Sequence, residues 1–170
     1  MIDLRLAGDL TVAAFFSADK PKEREARRKE LAEKFRRSQL RITDLGLEDE
    51  LHSNVRDLQA GPKGITPFHW ELEFPEVFAV DTAHQAGKVT GGFNSIVGNP
   101  PFLGGKRISS VSGDNYKDYL TSTQVGTNGN MDLAARFFRR AYSITRRNGT
   151  IGLISTNTIA QGDTRRGGLR

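Results

Sequence analysis

The stretch that decides the fold is Phe93–Gly98, FNSIVG, which runs directly into Asn99-Pro100-Pro101-Phe102. With Phe93, Ile96 and Val97 among its six residues, it reads by composition as a short buried strand. The two prolines end it. They remove two backbone donors and also restrict the backbone of Asn99. The result is a stiff turn with two outward-facing acceptors, the Asn99 side-chain carbonyl and the Pro100 main-chain carbonyl. An exocyclic amino group has two hydrogens, so a pair of acceptors can hold it. Phe102 adds a flat apolar face beside them, and stacking a base on an aromatic ring is worth roughly 1–3 kcal/mol. Taken in isolation, the same tetrapeptide equally describes a rigid structural turn.

Downstream, residues 104–130 are polar and read as a long loop with a helical piece around residues 116–120. A loop of that length inside a compact domain is usually functional or mobile. Residues 131–146 have helical periodicity, with Leu133, Phe137, Ala141 and Ile144 on one face, Asp132 in the first turn and Asn148-Gly149 as the stop. Residues 150–155, TIGLIS, read as a second buried strand ending in Thr156-Asn157-Thr158. The order strand, loop, helix, strand is an α/β crossover unit, so the two strands are expected to lie parallel in one sheet. Ligands in such sheets bind beyond the carboxyl ends of the strands. Residues 99–102 and 156–163 both sit there.

Upstream, residues 3–18 read as a helix with Leu6, Leu10, Ala13 and Ser17 near one face. Asp19 stands where a helix cap belongs, and Pro21 suits a first helical turn. Residues 21–40, PKEREARRKELAEKFRRSQL, alternate acids and bases at spacings that pair Glu25 with Lys29 and Glu30 with Lys34. The apolar stripe there is thin: Ala26, Leu31, Ala32 and Phe35. A solvated helix or a nucleic-acid-facing one fits this pattern, although acids interrupt the bases throughout. A short helix is expected over residues 48–58. In residues 68–78, FHWELEFPEVF, the alternation of Phe68, Trp70, Leu72 and Phe74 predicts an extended segment with one buried face, stopped by Pro75. Residues 79–92 are loop-like.

The bulk properties bound the function. A chain of 170 residues with 36% hydrophobic content holds one domain with a modest core. Its net charge of +5 permits a polyanionic partner and does not demonstrate one. No run of about 18 apolar residues is present, so no membrane association is expected. The first residues lack the layout of a signal peptide. Zero cysteines exclude a disulfide framework, a thiolate metal site and a Cys nucleophile, and they fit a cytoplasmic protein. Three scattered histidines show no metal constellation; His69 and Trp70 read as packing residues.

The turn Asn99-Pro100-Pro101-Phe102 resembles the fourth motif of the amino-methylating DNA methyltransferases, Asp/Asn/Ser-Pro-Pro-aromatic. The segments HWELEFPEVF, FNSIVGNPPFLGGKRIS, MDLAARFFRRA and GTIGLISTNTIAQGDTRRGGL, in this order, resemble the large bacterial enzymes that fuse adenine methylation to restriction or phage defence, the type IIG-like family. This resemblance implies a partial Rossmann-like class I methyltransferase domain. Residues 1–67 would be a helical insert and residues 68–170 the catalytic part. It also implies S-adenosylmethionine as cofactor, double-stranded DNA as partner, and direct methyl transfer to an adenine flipped out of the duplex. Adenine rather than cytosine rests on the resemblance and on the asparagine form of the motif.

The resemblance also assigns residue roles. Asn99 and Pro100 hold the amino group, Pro101 stiffens the turn and Phe102 stacks on the base. Phe137 matches an aromatic bordering the cofactor's adenine ring; its alternative is a core residue. Thr156, Asn157 and Thr158 line the pocket wall, or simply cap the strand end. Lys106 and Arg107 follow a Gly-Gly pair and reach for backbone phosphate, or are plain surface cations. The family's glycine-rich cofactor loop has no convincing counterpart. Ala7-Gly8-Asp9 lies in a helical pattern, and Gly61-Pro62-Lys63-Gly64 has no helix after it. The expectation is therefore a segment of a longer polypeptide that relies on the remainder for its cofactor-binding and target-recognition parts, and that is inactive alone. Two competing readings remain: an Asn-Pro-Pro methyltransferase acting on RNA or a protein glutamine, and an inactive nucleic-acid-binding remnant.

Overall fold

The structure is a computed structural model that describes residues 3–40, 46–78, 91–124 and 126–160. The chain divides into two compact units, Met1–Glu73 and Phe74–Arg170.

The first unit is helical: α1 (Leu4–Phe16), α2 (Pro21–Gln39), α3 (Leu47–Gln59) and the single turn α4 (Trp70–Glu73). Leu6, Leu10, Ala14, Leu31, Leu51 and Val55 make its core, with Phe35 packed against them. On α1 the inward face runs through Ala14; Ser17, expected on it, is exposed. Helix α2 contributes only Leu31 and part of Phe35, while Ala26 and Ala32 are exposed. The cap of α2 is Lys20 rather than Asp19, because Pro21 occupies the first helical position and holds its predecessor extended (φ −97°, ψ 138°). The charges of α2 are largely consumed within the unit. Lys29 pairs with Glu25 and Lys34 with Glu30, as the spacing predicts. Arg28 grips Glu25 with two bonds of 2.8 Å, and Lys34 also reaches Glu50 on α3 at 2.6 Å.

The expected extended segment at residues 68–78 is instead a turn. Leu72 and Glu73 both donate their amides to the His69 carbonyl at 2.9 Å, forming α4. Its side chains are fixed by α1: His69 Nε2 lies 2.8 Å from Asp9, and Glu73 pairs with Arg5 at 2.6 Å. These tertiary contacts outweigh the local alternation. Gly8 admits the His69 ring, whose Nε2 would lie 2.7 Å from a Cβ at that position.

The second unit contains β1 (Phe93–Gly98), α5 (Gly105–Ser112), α6 (Asp114–Thr123), α7 (Leu133–Ile144) and β2 (Thr145–Leu153), followed by a 3₁₀ turn, Asn157–Ala160. The strands pair in parallel, as the crossover order requires. Several expectations fail here. The loop expected over residues 104–130 holds two helices, α5 and α6, hinged at Gly113 (φ 91°) and anchored by the fully buried Ile108. Helix α7 ends at Ile144 rather than near residue 146, because Thr145 is already extended (φ −88°, ψ 134°). Asn148-Gly149 is a turn, but it lies inside β2. Asn148 has φ 64°, and between the pairs Phe93–Thr145 and Ser95–Thr150 β1 advances two residues while β2 advances five. Finally, β1 is not buried: Val97 is 82% exposed, in a sheet with two strands among the described residues.

Candidate active site at the carboxyl ends of the strands

The final paired residues of the sheet are Gly98 and Leu153, and Ile154 donates its amide to the Gly98 carbonyl at 3.1 Å. The chain segments leaving β1 and β2 therefore start side by side. Asn99 is exposed and Pro100 is buried, so the proline ring plugs the turn into the unit while the asparagine faces out. Among the described residues nothing donates to the Asn99 side chain or to the Pro100 carbonyl. Pro101 is exposed, and Phe102 leaves 49% of its surface open.

The far side of the turn is anchored to α7. The Leu103 carbonyl accepts from the amide of Leu133, the first residue of α7, at 2.9 Å. Asp132 caps that helix by accepting from the Ala134 amide at 2.8 Å. Gly105, the first residue of α5, lies against the backbone of Asn130; a Cβ there would meet the Asn130 carbonyl carbon and oxygen, with its Cα at 2.7 Å. Glycine is required at this approach for lack of space.

Phe137 lies one helical turn after Leu133, roughly 6 Å along the axis, and is 45% exposed. It is not the core residue that the helical stripe allows. Its neighbour Arg136 takes the inside position, 1% exposed. Nη1 of Arg136 donates to the Leu120 carbonyl at 2.7 Å, and Nη2 to the Asn128 carbonyl at 2.8 Å; Thr121 and Thr127 hydroxyls accept longer bonds of 3.3 and 3.4 Å. Burial holds the Arg136 pKa below its ordinary value. Gln124 donates Nε2 to the Arg136 carbonyl at 3.2 Å. Sequence reasoning missed this residue. The available signal was position: Arg136 follows Leu133 by three, which falls on the same stripe that Phe137 follows by four.

Lys106 and Arg107 are exposed in the first turn of α5, and among the described residues neither has an ion-pair partner. Thr156 and Asn157 are exposed just past β2, and Thr158 falls in the 3₁₀ turn. The structure thus brings residues 99–102, the start of α7 and the end of β2 to one edge, with Lys106 and Arg107 on the helix that leaves it. No group of three or more His, Asp or Glu side chains suited to a metal occurs among the described residues. Nor is any helix among them long and apolar enough to cross a membrane.

The net charge is unevenly shared. Residues 1–73 carry thirteen Lys and Arg against fourteen Asp and Glu, whereas residues 74–170 carry twelve against six. The positive excess lies wholly in the part of the chain that holds this edge.

No curated protein and no solved structure is significantly similar to the chain. A family model, the Eco57I restriction-modification methylase, matches residues 3–168. That match covers nearly every residue, and the chain belongs to the Eco57I restriction-modification methylase family.

Proposed function

We propose that, within the DNA methyltransferase activity its family indicates, this chain acts on the N6 amino group of adenine and uses S-adenosylmethionine. One observation carries the reading. A proline-stiffened turn at the carboxyl end of a parallel strand presents two acceptors unengaged among the described residues, Asn99 Oδ1 and the Pro100 carbonyl, and an exposed aromatic ring, Phe102. Each acceptor takes one amino hydrogen. Together they fix the nitrogen, raise its electron density and leave its lone pair free of the turn. Phe102 stacks on the flipped base, and Pro101 keeps the turn from relaxing. Asn99 is exposed, so the proton shed by the amino nitrogen has a path to solvent.

The residues present fit one wall of a site for S-adenosylmethionine. Phe137 offers an open aromatic face on α7, where the adenine ring of the cofactor would rest. When bound, S-adenosylmethionine supplies an electrophilic methyl on a sulfonium. Thr156, Asn157 and Thr158 form the pocket wall beyond β2. Lys106 and Arg107, exposed and without ion-pair partners among the described residues, contact backbone phosphate of double-stranded DNA. The two parallel strands and α7 belong to a partial Rossmann-like class I methyltransferase domain, with residues 1–67 as a helical insert and residues 68–170 as the catalytic part. The setting is restriction-modification or phage defence in the bacterial cytoplasm.

The test is transfer of labelled methyl from S-adenosylmethionine to DNA by the protein expressed with the whole reading frame in which this sequence occurs. Label is expected on adenine. Asn99→Ala removes an acceptor aimed at the reacting nitrogen and is expected to lower kcat by about 10²–10³ while DNA binding persists. Label on cytosine, on RNA or on protein, or a folded DNA-binding protein that transfers nothing, would sink the reading.

A further inference from the structure

We infer that Arg136 is a positioning residue whose guanidinium sets the placement of the turn at residues 99–102 by clasping the segment on which that turn rests. The inference builds on the proposed function, and its first premise is the cost of the arrangement. Arg136 is among the largest fully buried side chains, and no carboxylate among the described residues pairs with it. Its Nε has no hydrogen-bond partner among the described residues. A buried cation answered only by carbonyls and hydroxyls carries a desolvation cost that no opposite charge offsets. What the planar fork supplies is geometry. One nitrogen holds the Leu120 carbonyl near the end of α6, and the other holds the Asn128 carbonyl in the following loop.

The clasp connects to the turn by a short chain of contacts. The Asn128 carbonyl that accepts from Arg136 also accepts from the Met131 amide at 3.3 Å. The Asn128 side chain accepts from the Asn130 amide at 3.0 Å. The Asn130 backbone is the surface against which Gly105 rests, three residues beyond Phe102. On the other side, the Leu103 carbonyl is held by Leu133, three residues before Arg136 on the same helix. Both supports of the turn's downstream end therefore depend on where Arg136 holds the segment between α6 and α7. Phe137, the next residue, is exposed.

The test compares Arg136→Met, Arg136→Lys and Leu51→Ala, the last a core truncation in the other unit, in the same full reading frame. Amide hydrogen exchange is read at Leu133, and methyl transfer at a temperature where every variant is folded. Arg136→Met is expected to lose protection at the Leu133 amide and to lower kcat about 100-fold, with KM for DNA changed less than about threefold. Leu51→Ala is expected to lower the melting temperature and leave kcat and the Leu133 amide unchanged. Arg136→Lys keeps the charge and lacks the fork; it is expected to fold and to fall between Met and wild type, which covers the case in which Met does not fold. Unchanged protection at Leu133, or a kcat loss in Arg136→Lys no larger than in Leu51→Ala, would overturn the inference. Absence of transfer in the wild type would count against the proposed function alone, since the exchange measurement still decides whether Arg136 holds the turn.

Discussion

Replacing Gly105 with alanine tests the same support from the opposite side. Gly105 does not have a positive φ and begins α5, so alanine is permitted by the backbone. By itself the change is stabilising by about 0.4–1 kcal/mol, through the smaller entropy of the unfolded chain. Against this stands the added Cβ, 2.7 Å from the Asn130 Cα and nearer still to its carbonyl carbon and oxygen. Carbon atoms settle at roughly 3.5–4.0 Å, so the two backbones must part by about 1 Å. Asn130 has little room to yield: its amide is bonded to Asn128, the next residue Met131 is fully buried, and Asn128 is gripped by Arg136. Overpacking of this kind costs about 1–3 kcal/mol, which exceeds the entropic gain. The net expectation is a loss of about 1–2 kcal/mol, a fall in melting temperature of a few degrees, and a kcat lowered by about tenfold or more as the turn shifts. Gly104→Ala is the control, since a Cβ at Gly104 meets nothing within 4 Å. Calorimetry and methyl-transfer kinetics on both variants decide the matter. A Gly105→Ala protein as stable and as active as Gly104→Ala would refute the reasoning.

Phe137→Ala should leave the melting temperature nearly unchanged, because the ring is 45% exposed, and should weaken S-adenosylmethionine binding in a calorimetric titration; a large stability loss would mean the ring is structural. Lys106→Ala with Arg107→Ala should weaken DNA binding and flatten the slope of log affinity against log salt by roughly 2, near 0.9 for each phosphate no longer neutralised; an unchanged slope would remove both from the DNA interface. The carboxyls of Glu25, Glu30 and Glu33 are held below their ordinary value chiefly by hydrogen bonds from Arg28, Lys34 and Arg36. A lowered folded-state pKa contributes stability above the ordinary value of 4.5 that is lost as pH falls through the folded value. Helical signal from residues 1–73 should therefore weaken as pH drops below about 4.5, modestly and less so in high salt, because these pairs are exposed.

The parts of the fold visible in the sequence were those set by local pattern. Helices α1, α2 and α3 followed from periodicity and from Pro21. The parallel strands followed from the order of elements around α7. What stayed hidden was decided by contacts distant in sequence. The turn α4 forms because His69 and Glu73 meet Asp9 and Arg5, which lie 60 and 68 residues earlier. Helices α5 and α6 were masked by polar composition, since only Ile108 and Gly105 are buried between them. For the candidate site, the motif at residues 99–102 was legible because proline chemistry acts locally. The support beneath it was not.

Helix α7 shows why. Its periodicity offers two residues for one inward position, Arg136 and Phe137, and hydrophobicity alone puts the phenylalanine inside. The structure chooses the arginine, because the carbonyls of Leu120 and Asn128 and the hydroxyls of Thr121 and Thr127 are gathered where only a planar donor of several bonds can answer them. An inward phenylalanine would offer them no donor, and a buried acceptor left without one costs about 1–3 kcal/mol; the Asn128 carbonyl would keep only the Met131 amide. An outward arginine would remove the link between α6 and the start of α7. The ring left outside costs little at 45% exposure and becomes available to a ligand. The same choice therefore accounts for a buried cation with no counter-charge among the described residues and an exposed aromatic beside it.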